Sequence, residues 1–237
     1  MLRRAVELEP EVFSASPGIV DEQARAYVGL AALAAAYLVK LRGHIDKGLV
    51  PARTLLLGRV RGTGAGVSFG KIVSDMEGSD PPRLVSPFEG SHSVAGAVIE
   101  GRVWADPARD DAFLKLRFAA GSVDLPMHAH EQSDRIIFVL DGRGFYHVSA
   151  ASLADFSGED VLHVPVRERD VLMFPRGTIH TFSTDGHALD LLSYHAPFVP
   201  LDDPTQYTVP AKHVLPARLL DRSQARVTCD PAWTCLA

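Results

Sequence analysis

The sequence predicts a mainly β protein with a helical extension near its N-terminus. One stretch before residue 45 has apolar residues at the helical period, whereas from about residue 83 onward short apolar stretches alternate with turn signals. Many short strands with regular turns are typical of a β-sandwich or barrel. The length of 237 residues allows one large domain, or one domain with a substantial appendage.

The predicted helix begins after Asp21, because a carboxylate there can accept hydrogen bonds from the first free N–H groups of a helix. It is expected to end at Gly43, after the basic residues Lys40 and Arg42. Its apolar residues follow the helical period, so we expect it to pack against the outside of the barrel or against a second subunit. They are residues 27, 30, 31, 34, 37, 38 and 41.

The glycine-rich stretch from Leu55 to Lys71 is interpreted as a flexible or turn-rich connection. It does not form a phosphate-binding motif, because Ala65 stands where the first Gly is needed and Ile72 follows the lysine. We therefore divide the chain into a helical or irregular extension over residues 1–82, a β-barrel over 83–200 and an extended C-terminal tail over 201–237. The tail contains Cys229 and Cys235, which we interpret as incidental thiols.

Eight strands are predicted within the barrel from alternation, β-branched residues and bounding turns. They cover residues 97–104, 112–119, 134–140, 144–149, 161–166, 170–174, 180–183 and 191–195.

Composition argues against several classes of function. The net charge is −5 with acidic and basic residues interspersed, so there is no basic face for nucleic acid. The longest uncharged stretch covers 26–39, which is shorter than the roughly 20 residues that cross a bilayer. The first ten residues do not resemble a secretory signal. We expect a cytoplasmic protein without nucleic-acid or membrane partners.

A pair of histidines two residues apart, followed by a third, is the strongest functional signal. His128 and His130 point to the same side if this segment is extended, and His180 comes from a separate predicted strand. Imidazole is a common metal ligand because it is mostly neutral near pH 7. Three such ligands leave coordination positions open for a substrate, as in catalytic sites. We therefore expect His128, His130 and His180 to bind a divalent metal.

The residues around the histidines resemble the two signatures of the cupin superfamily. In the first signature, His128, His130 and Gly142 match, although six residues instead of five separate Gly121 from His128. The second signature has a proline, a glycine and a histidine in place, and differs at the leading glycine and at the final asparagine. The matching residues are Pro175, Gly177 and His180, and the differing ones are Arg169 and Thr184.

This resemblance implies a double-stranded jelly-roll barrel with a ligand cavity at one mouth, and commonly a homodimer. It implies a metal-dependent enzyme, which we expect to be a mononuclear non-haem Fe(II) oxygenase acting on a small organic acid or thiol, as in the three-histidine members. Zinc, nickel or manganese would fit the same ligands. The alternatives are a non-catalytic ligand-sensing or partner-binding module, and a metal-assisted isomerase or lyase.

One departure from the first signature bears on the ligands. Arg135 occupies the position of a glutamate that is often the fourth metal ligand, and a guanidinium cannot bind a metal. Either the site has three histidines only, or a shift of one residue brings in Asp134 as a carboxylate ligand; we favour three histidines. Arg135 itself either points inward and binds an anionic substrate, or points outward onto Asp134, Glu131 or Asp141.

Other side chains are candidates for the pocket. Phe182 lies two residues after His180, so it should share the inward face and line the pocket, and Tyr194 is a further pocket residue. Arg135, Tyr146 and His147 are the candidate catalytic residues beside the metal. His195 could act as a proton shuttle, although a structural role is favoured for it.

Overall fold

The computed structural model describes residues 22–53, 55–59, 92–94, 97–105, 110–200 and 203–216. The expectations for Asp21, for the glycine-rich stretch beyond residue 59 and for Cys229 and Cys235 lie outside these residues.

One helix and nine strands make up the described fold. All strand pairs are antiparallel, and the main sheet has the order β1-β7-β5-β9-β4-β3-β2, with β6 and β8 pairing with β5 outside this path. This arrangement confirms the predicted mainly β fold class with an N-terminal helix, and it is compatible with a jelly roll, although the described strands do not close into a ring. The elements are α1 (Glu22–Asp46), β1 (Leu56–Arg59), β2 (His92–Val94), β3 (Ala97–Ala105), β4 (Ala112–Phe118), β5 (Asp134–Ser149), β6 (Leu162–Arg167), β7 (Asp170–Phe174), β8 (Ile179–Ser183) and β9 (Leu189–Ala196).

Strand β5 is shared by two sheets. Its first half pairs with β7 and β9, and its second half pairs with β6 and β8. The prediction of two strands separated by a turn at residues 141–144 is therefore wrong, because the chain bends there without reversing. Gly142 has a φ of 78°, and a Cβ at this position would lie 2.0 Å from the carbonyl oxygen of Ala188. Only glycine combines this backbone conformation with such close packing.

Helix α1 covers the outer face of the main sheet. Its buried residues Leu30, Ala34 and Leu38 pack in one cluster with Ile136 and Phe138 of β5. The helix was predicted to pack against either the outside of the barrel or a second subunit, and it packs against the outside of the barrel. The helix continues past Gly43 to Asp46, so its predicted end is wrong.

Gly48, which has a φ of 66°, terminates the helix after its last residue, Asp46. The Gly48 N–H donates to the carbonyl of Ile45 over 2.8 Å, and the Leu49 N–H donates to the carbonyl of His44 over 2.9 Å. This is the hydrogen-bond pattern of a Schellman motif, in which a residue of left-handed conformation terminates the helix. Gly43 lacks these contacts, so its presence alone does not stop the helix.

Strand β1 lies in a region that was predicted to be a connection. Residues 56–59 pair with β7 over Asp170 to Met173, and Leu55 is buried in the barrel interior. The interpretation of this part of the glycine-rich stretch as a connection is wrong, and the expected extension of residues 1–82 contributes one strand to the sheet. The strand could not be predicted from the sequence, because its run of three leucines is too short to show a period.

Residues on β5 alternate between the barrel interior and the helix. Ile137, Val139 and Tyr146 belong to the interior cluster, whereas Ile136 and Phe138 face α1. This alternation determines which of the candidate residues can reach the histidines.

Part of the predicted C-terminal tail is attached to the barrel. Thr208 and Ala129 exchange backbone hydrogen bonds of 2.8 and 2.9 Å, and the Met127 N–H donates to the carbonyl of Val214 over 3.0 Å. The described tail residues therefore lie directly beside His128 and His130. Among the described residues, no helix has the length and apolar character required to span a membrane.

Candidate metal centre

The three predicted ligands come together at one end of the barrel interior. His128 and His180 face each other in an isolated β-bridge, and their backbones exchange hydrogen bonds of 2.9 and 2.7 Å. The ring centroids are 5.0 Å apart for His128 and His130, 4.8 Å for His128 and His180, and 5.3 Å for His130 and His180. One ligand atom from each residue lies within 4.8 Å of the other two.

A backbone carbonyl orients each imidazole. The Nδ1 of His128 lies 2.8 Å from the carbonyl of Pro126, and the Nδ1 of His180 lies 2.9 Å from that of Thr178. The Nδ1 of His130 lies 2.5 Å from the carbonyl of Gln206. A carbonyl oxygen can only accept, so each Nδ1 carries the proton and each neutral Nε2 has a free lone pair. Outer hydrogen bonds of this kind orient metal-binding histidines in proteins.

Burial keeps these imidazoles neutral. It lowers the pKa of His128 to about 4, and it lowers the pKa of His130 and of His180 well below their usual value of 6.5. The positive charge of Arg135 adds to the lowering in all three cases. Three neutral nitrogen donors with free Nε2 atoms form a donor set suited to a divalent transition metal.

Arg135 points inward, beside the histidines. It is 1% exposed, and one Nη2 hydrogen bond of 3.2 Å connects it to the side-chain oxygen of Gln206. Its Nε and Nη1 have no hydrogen-bond partner among the described residues. Burial lowers the pKa of Arg135 to about 9, which leaves the guanidinium protonated at neutral pH. The outward interpretation of this side chain, in which it pairs with surface acids, is wrong.

Asp134 points to the opposite side of β5. One carboxylate oxygen accepts from Arg42 of α1 over 2.5 Å and from the Arg176 N–H over 2.7 Å, and the other accepts from the Arg176 guanidinium over 3.2 Å. The interpretation of Asp134 as an alternative metal ligand is therefore wrong. The bulge between Val139 and Asp141 comes after this residue, so the alternation at the start of β5 is undisturbed.

Two aromatic rings enclose His180. The ring centroid of Phe174 lies 4.4 Å from that of His180, and the centroid of Tyr146 lies 5.7 Å from it. Phe182 packs deeper, with its centroid 4.9 Å from Tyr146 and 5.7 Å from Phe118. The Tyr146 hydroxyl is buried without a hydrogen-bond partner among the described residues, and burial raises its pKa well above 10.0. Phe182 and Tyr146 thus both occupy the interior, and for Phe182 this is the position predicted from alternation with His180.

The structure does not bring two predicted residues to the cluster. His147 lies on the outer face of β5, where its Nδ1 is 2.6 Å from the Nδ1 of His163 and its Nε2 is 2.7 Å from the hydroxyl of Ser183. Tyr194 lies under α1 in the outer cluster, and its hydroxyl donates to Asp111. The predictions that His147 acts beside the metal and that Tyr194 lines the pocket are wrong, since each residue occupies the outward position in its strand.

Three further residues lie near the cluster, and sequence reasoning considered only His195 among them, with a structural role favoured. His195 is the cross-strand partner of Arg135, its ring centroid lies 6.4 Å from that of His130, and its buried Nδ1 lacks a hydrogen-bond partner among the described residues. Gln206 contacts both His130 and Arg135. Tyr207 packs its ring edge-on to His128 at 5.5 Å and is 41% exposed, so it lies at the mouth of the site. Strand alternation would have indicated His195, because it lies opposite Arg135, but Gln206 and Tyr207 follow no local pattern.

One family model matches part of the chain. Residues 114–193 match the family described as Cupin domain. This segment includes the second-signature residues, His128 and His130, and it confirms the resemblance that the two motifs indicated. None of the curated proteins matches the chain.

Three solved structures of low sequence identity match about half of this chain. Streptomyces PAC13 with uridine is 16% identical, and the match covers 56% of this chain and 90% of that chain with a TM-score of 0.37. Oxalate oxidase in complex with the substrate analogue glycolate is 18% identical, over 52% of this chain and 64% of that chain, with a TM-score of 0.38. KdgF from Halomonas sp. is 19% identical, over 47% and 90%, with a TM-score of 0.36.

Proposed function

We propose that this protein is a metal-dependent enzyme that acts on a small organic acid or thiol, as a mononuclear non-haem Fe(II) oxygenase. One observation carries the proposal: three imidazoles with free Nε2 atoms converge beside a buried guanidinium that has unused N–H groups. The histidines provide the metal ligands, and Arg135 provides a place for a substrate anion.

The charges of the site favour an anionic substrate. Three neutral ligands leave the 2+ charge of a divalent metal uncompensated, and Arg135 adds one more positive charge. No carboxylate contacts Arg135 among the described residues, since its hydrogen-bond partner is the neutral Gln206. An unpaired buried charge is strongly unfavourable, so a bound anion would stabilise this arrangement. A carboxylate can accept two parallel hydrogen bonds from a guanidinium.

The protein side chains orient the substrate and exclude water. Arg135 would bind the carboxylate, and the unpartnered hydroxyl of Tyr146 and Nδ1 of His195 are available to polar atoms of the same molecule. Phe174 and Phe182 provide the apolar wall next to His180. When bound, Fe(II) would supply a Lewis acid with open positions and a redox centre for O₂ chemistry; Zn, Ni or Mn would supply the Lewis acid.

The proposal includes several features of the organisation of the protein. We propose that the functional unit consists of the barrel over residues 83–200 together with the part of the predicted tail that reaches the histidines. We also propose that the protein is cytoplasmic and that it forms a homodimer.

Oxygen consumption by the Fe(II)-loaded protein tests this function. Protein loaded anaerobically is supplied with a panel of small carboxylates and thiols, and O₂ uptake is followed with an electrode. We expect uptake that depends on one substrate class and is absent in His180→Ala. Turnover of a carboxylate without O₂ uptake would instead indicate an isomerase or lyase. Metal binding without any turnover across the panel would contradict the enzymatic proposal and favour a ligand-sensing module.

A further inference from the structure

Gln206 makes two separable contacts with the metal centre. Its backbone carbonyl accepts from the Nδ1 of His130 over 2.5 Å. Its side-chain oxygen lies 3.1 Å from the same Nδ1 and accepts from Nη2 of Arg135 over 3.2 Å. Gln206 is 4% exposed, and it comes from the tail segment 203–216 and not from the strands that carry the histidines.

We propose that Gln206 determines the charge specificity of the site by fixing Arg135 with a neutral acceptor. This inference rests on the proposed function, because it concerns the substrate anion. The side-chain amide holds the guanidinium in place without neutralising it, so the positive charge stays available to the substrate. A glutamate at this position would have the same length and would form an internal ion pair with Arg135.

The backbone pairing of the tail fixes the position of Gln206. Thr208 exchanges hydrogen bonds with Ala129, the residue between His128 and His130, and the Thr208 hydroxyl donates to Glu131 over 2.9 Å. The Gln206 N–H donates to the carbonyl of Asp203 over 2.9 Å, within the turn that precedes the pairing. Because these contacts use the backbone and neighbouring residues, a change of the Gln206 side chain leaves the orienting contact from its carbonyl to His130 in place.

Two variants of similar size distinguish the charge from the packing of this side chain. Gln206→Glu adds a carboxylate, and Gln206→Leu removes the acceptor. Each variant is prepared in the wild-type background and in the Arg135→Leu background. The metal-free proteins are studied by thermal unfolding, and the Co(II)-loaded proteins by spectroscopic titration with glycolate. Glycolate is chosen as a probe because its carboxylate and its neighbouring hydroxyl can reach both the guanidinium and the metal.

We expect Gln206→Glu to weaken glycolate binding at least tenfold and Gln206→Leu to weaken it less than threefold, with Co(II) affinity within threefold of the wild type in both. In the metal-free protein, Gln206→Glu should have a higher melting temperature than Gln206→Leu by a few degrees, and this order should reverse in the Arg135→Leu background.

Two results would overturn the inference. Equal losses of glycolate affinity in the two variants would show that Gln206 acts only through packing. A difference in melting temperature that is the same with and without Arg135 would show that the charges are not coupled. If Arg135→Leu and the wild type bind glycolate equally, the anion site of the proposed function fails instead, and the metal-free melting temperatures alone decide the role of Gln206.

Discussion

Two groups of histidines lie on opposite faces of the same sheet, and among the described residues only the inner group has the geometry of a metal site. In the inner group, each Nδ1 donates to a carbonyl and each Nε2 is free. In the outer group, both ring nitrogens of His147 are used, by His163 and by Ser183. Burial lowers the pKa of the histidines in both places. Burial and neutrality alone therefore do not make a histidine a metal ligand. The ligand atoms must also have free lone pairs, and these must point toward a common position.

The same division applies to neighbouring residues of β5. Asp134 faces outward to two arginines, whereas Arg135 faces inward to Gln206. Tyr146 faces the interior, and His147 the exterior. The following variants test this division between inner and outer positions, in order of decreasing effect.

Arg135→Leu should have the largest effect on ligand binding. Removal of a charged hydrogen-bond donor from a buried site costs about 2–5 kcal/mol, so we expect the affinity of a substrate carboxylate to fall at least about thirtyfold. Titration calorimetry of the metal-loaded protein measures this change. Arg176→Leu, which removes the same charge from the outer face, is the matched control and should change the affinity less than about twofold.

Asp134→Ala should destabilise the fold and leave the metal in place. The carboxylate connects α1 to the loop that precedes His180, and its loss removes the acceptor of the Arg176 backbone N–H and the ion-pair partner of two partly exposed guanidinium groups. We expect a loss of about 2 kcal/mol in the free energy of unfolding, measured with urea. The exposed Asp141→Ala should change it by less than about 0.5 kcal/mol. Loss of the metal from Asp134→Ala would instead show that the carboxylate of Asp134 is a metal ligand.

The outer histidine should make stability depend on pH. Burial, followed by the charge of His163, lowers the pKa of His147 to about 3, below its value near 6.5 in the unfolded chain. Between these values the unfolded state binds more protons, so the free energy of unfolding falls as pH falls, by roughly 1 kcal/mol per pH unit for this group. His147→Phe should reduce the slope between pH 6 and about 4 by this amount, whereas the exposed His213→Gln should not. An unchanged slope in His147→Phe would show that this imidazole is not buried in the neutral form.

Tyr146→Phe should leave the stability unchanged or slightly raised and should slightly lower the activity. The hydroxyl is buried and unpartnered among the described residues, so its removal should leave the ligand-free protein equally stable or more stable by about 1 kcal/mol. If the hydroxyl contacts the substrate, kcat/KM should fall about fivefold. A loss of stability with unchanged kcat/KM would assign Tyr146 a structural role only.

The motifs predicted the three histidines and the fold because both depend on short patterns of residues. The side chains of Asp134 and Arg135 could not be assigned in the same way, since a shift of one residue exchanges their faces and only the complete pairing of β5 fixes the register. The continuation of β5 through Gly142 depends on the close approach of Ala188, which is distant in sequence. Gln206 belongs to a segment without periodicity, and its role arises only from the backbone pairing of Thr208 with Ala129.

The metal content of three purified proteins tests the distinction between the two histidine groups most directly. Wild type, His180→Ala and His147→Ala are loaded with Fe(II) under anaerobic conditions, desalted and measured by inductively coupled plasma mass spectrometry. We predict about one metal per folded chain for the wild type and for His147→Ala, and almost none for His180→Ala. A full metal complement in His180→Ala, or its loss in a folded His147→Ala, would contradict the assignment of the metal site to the inner group.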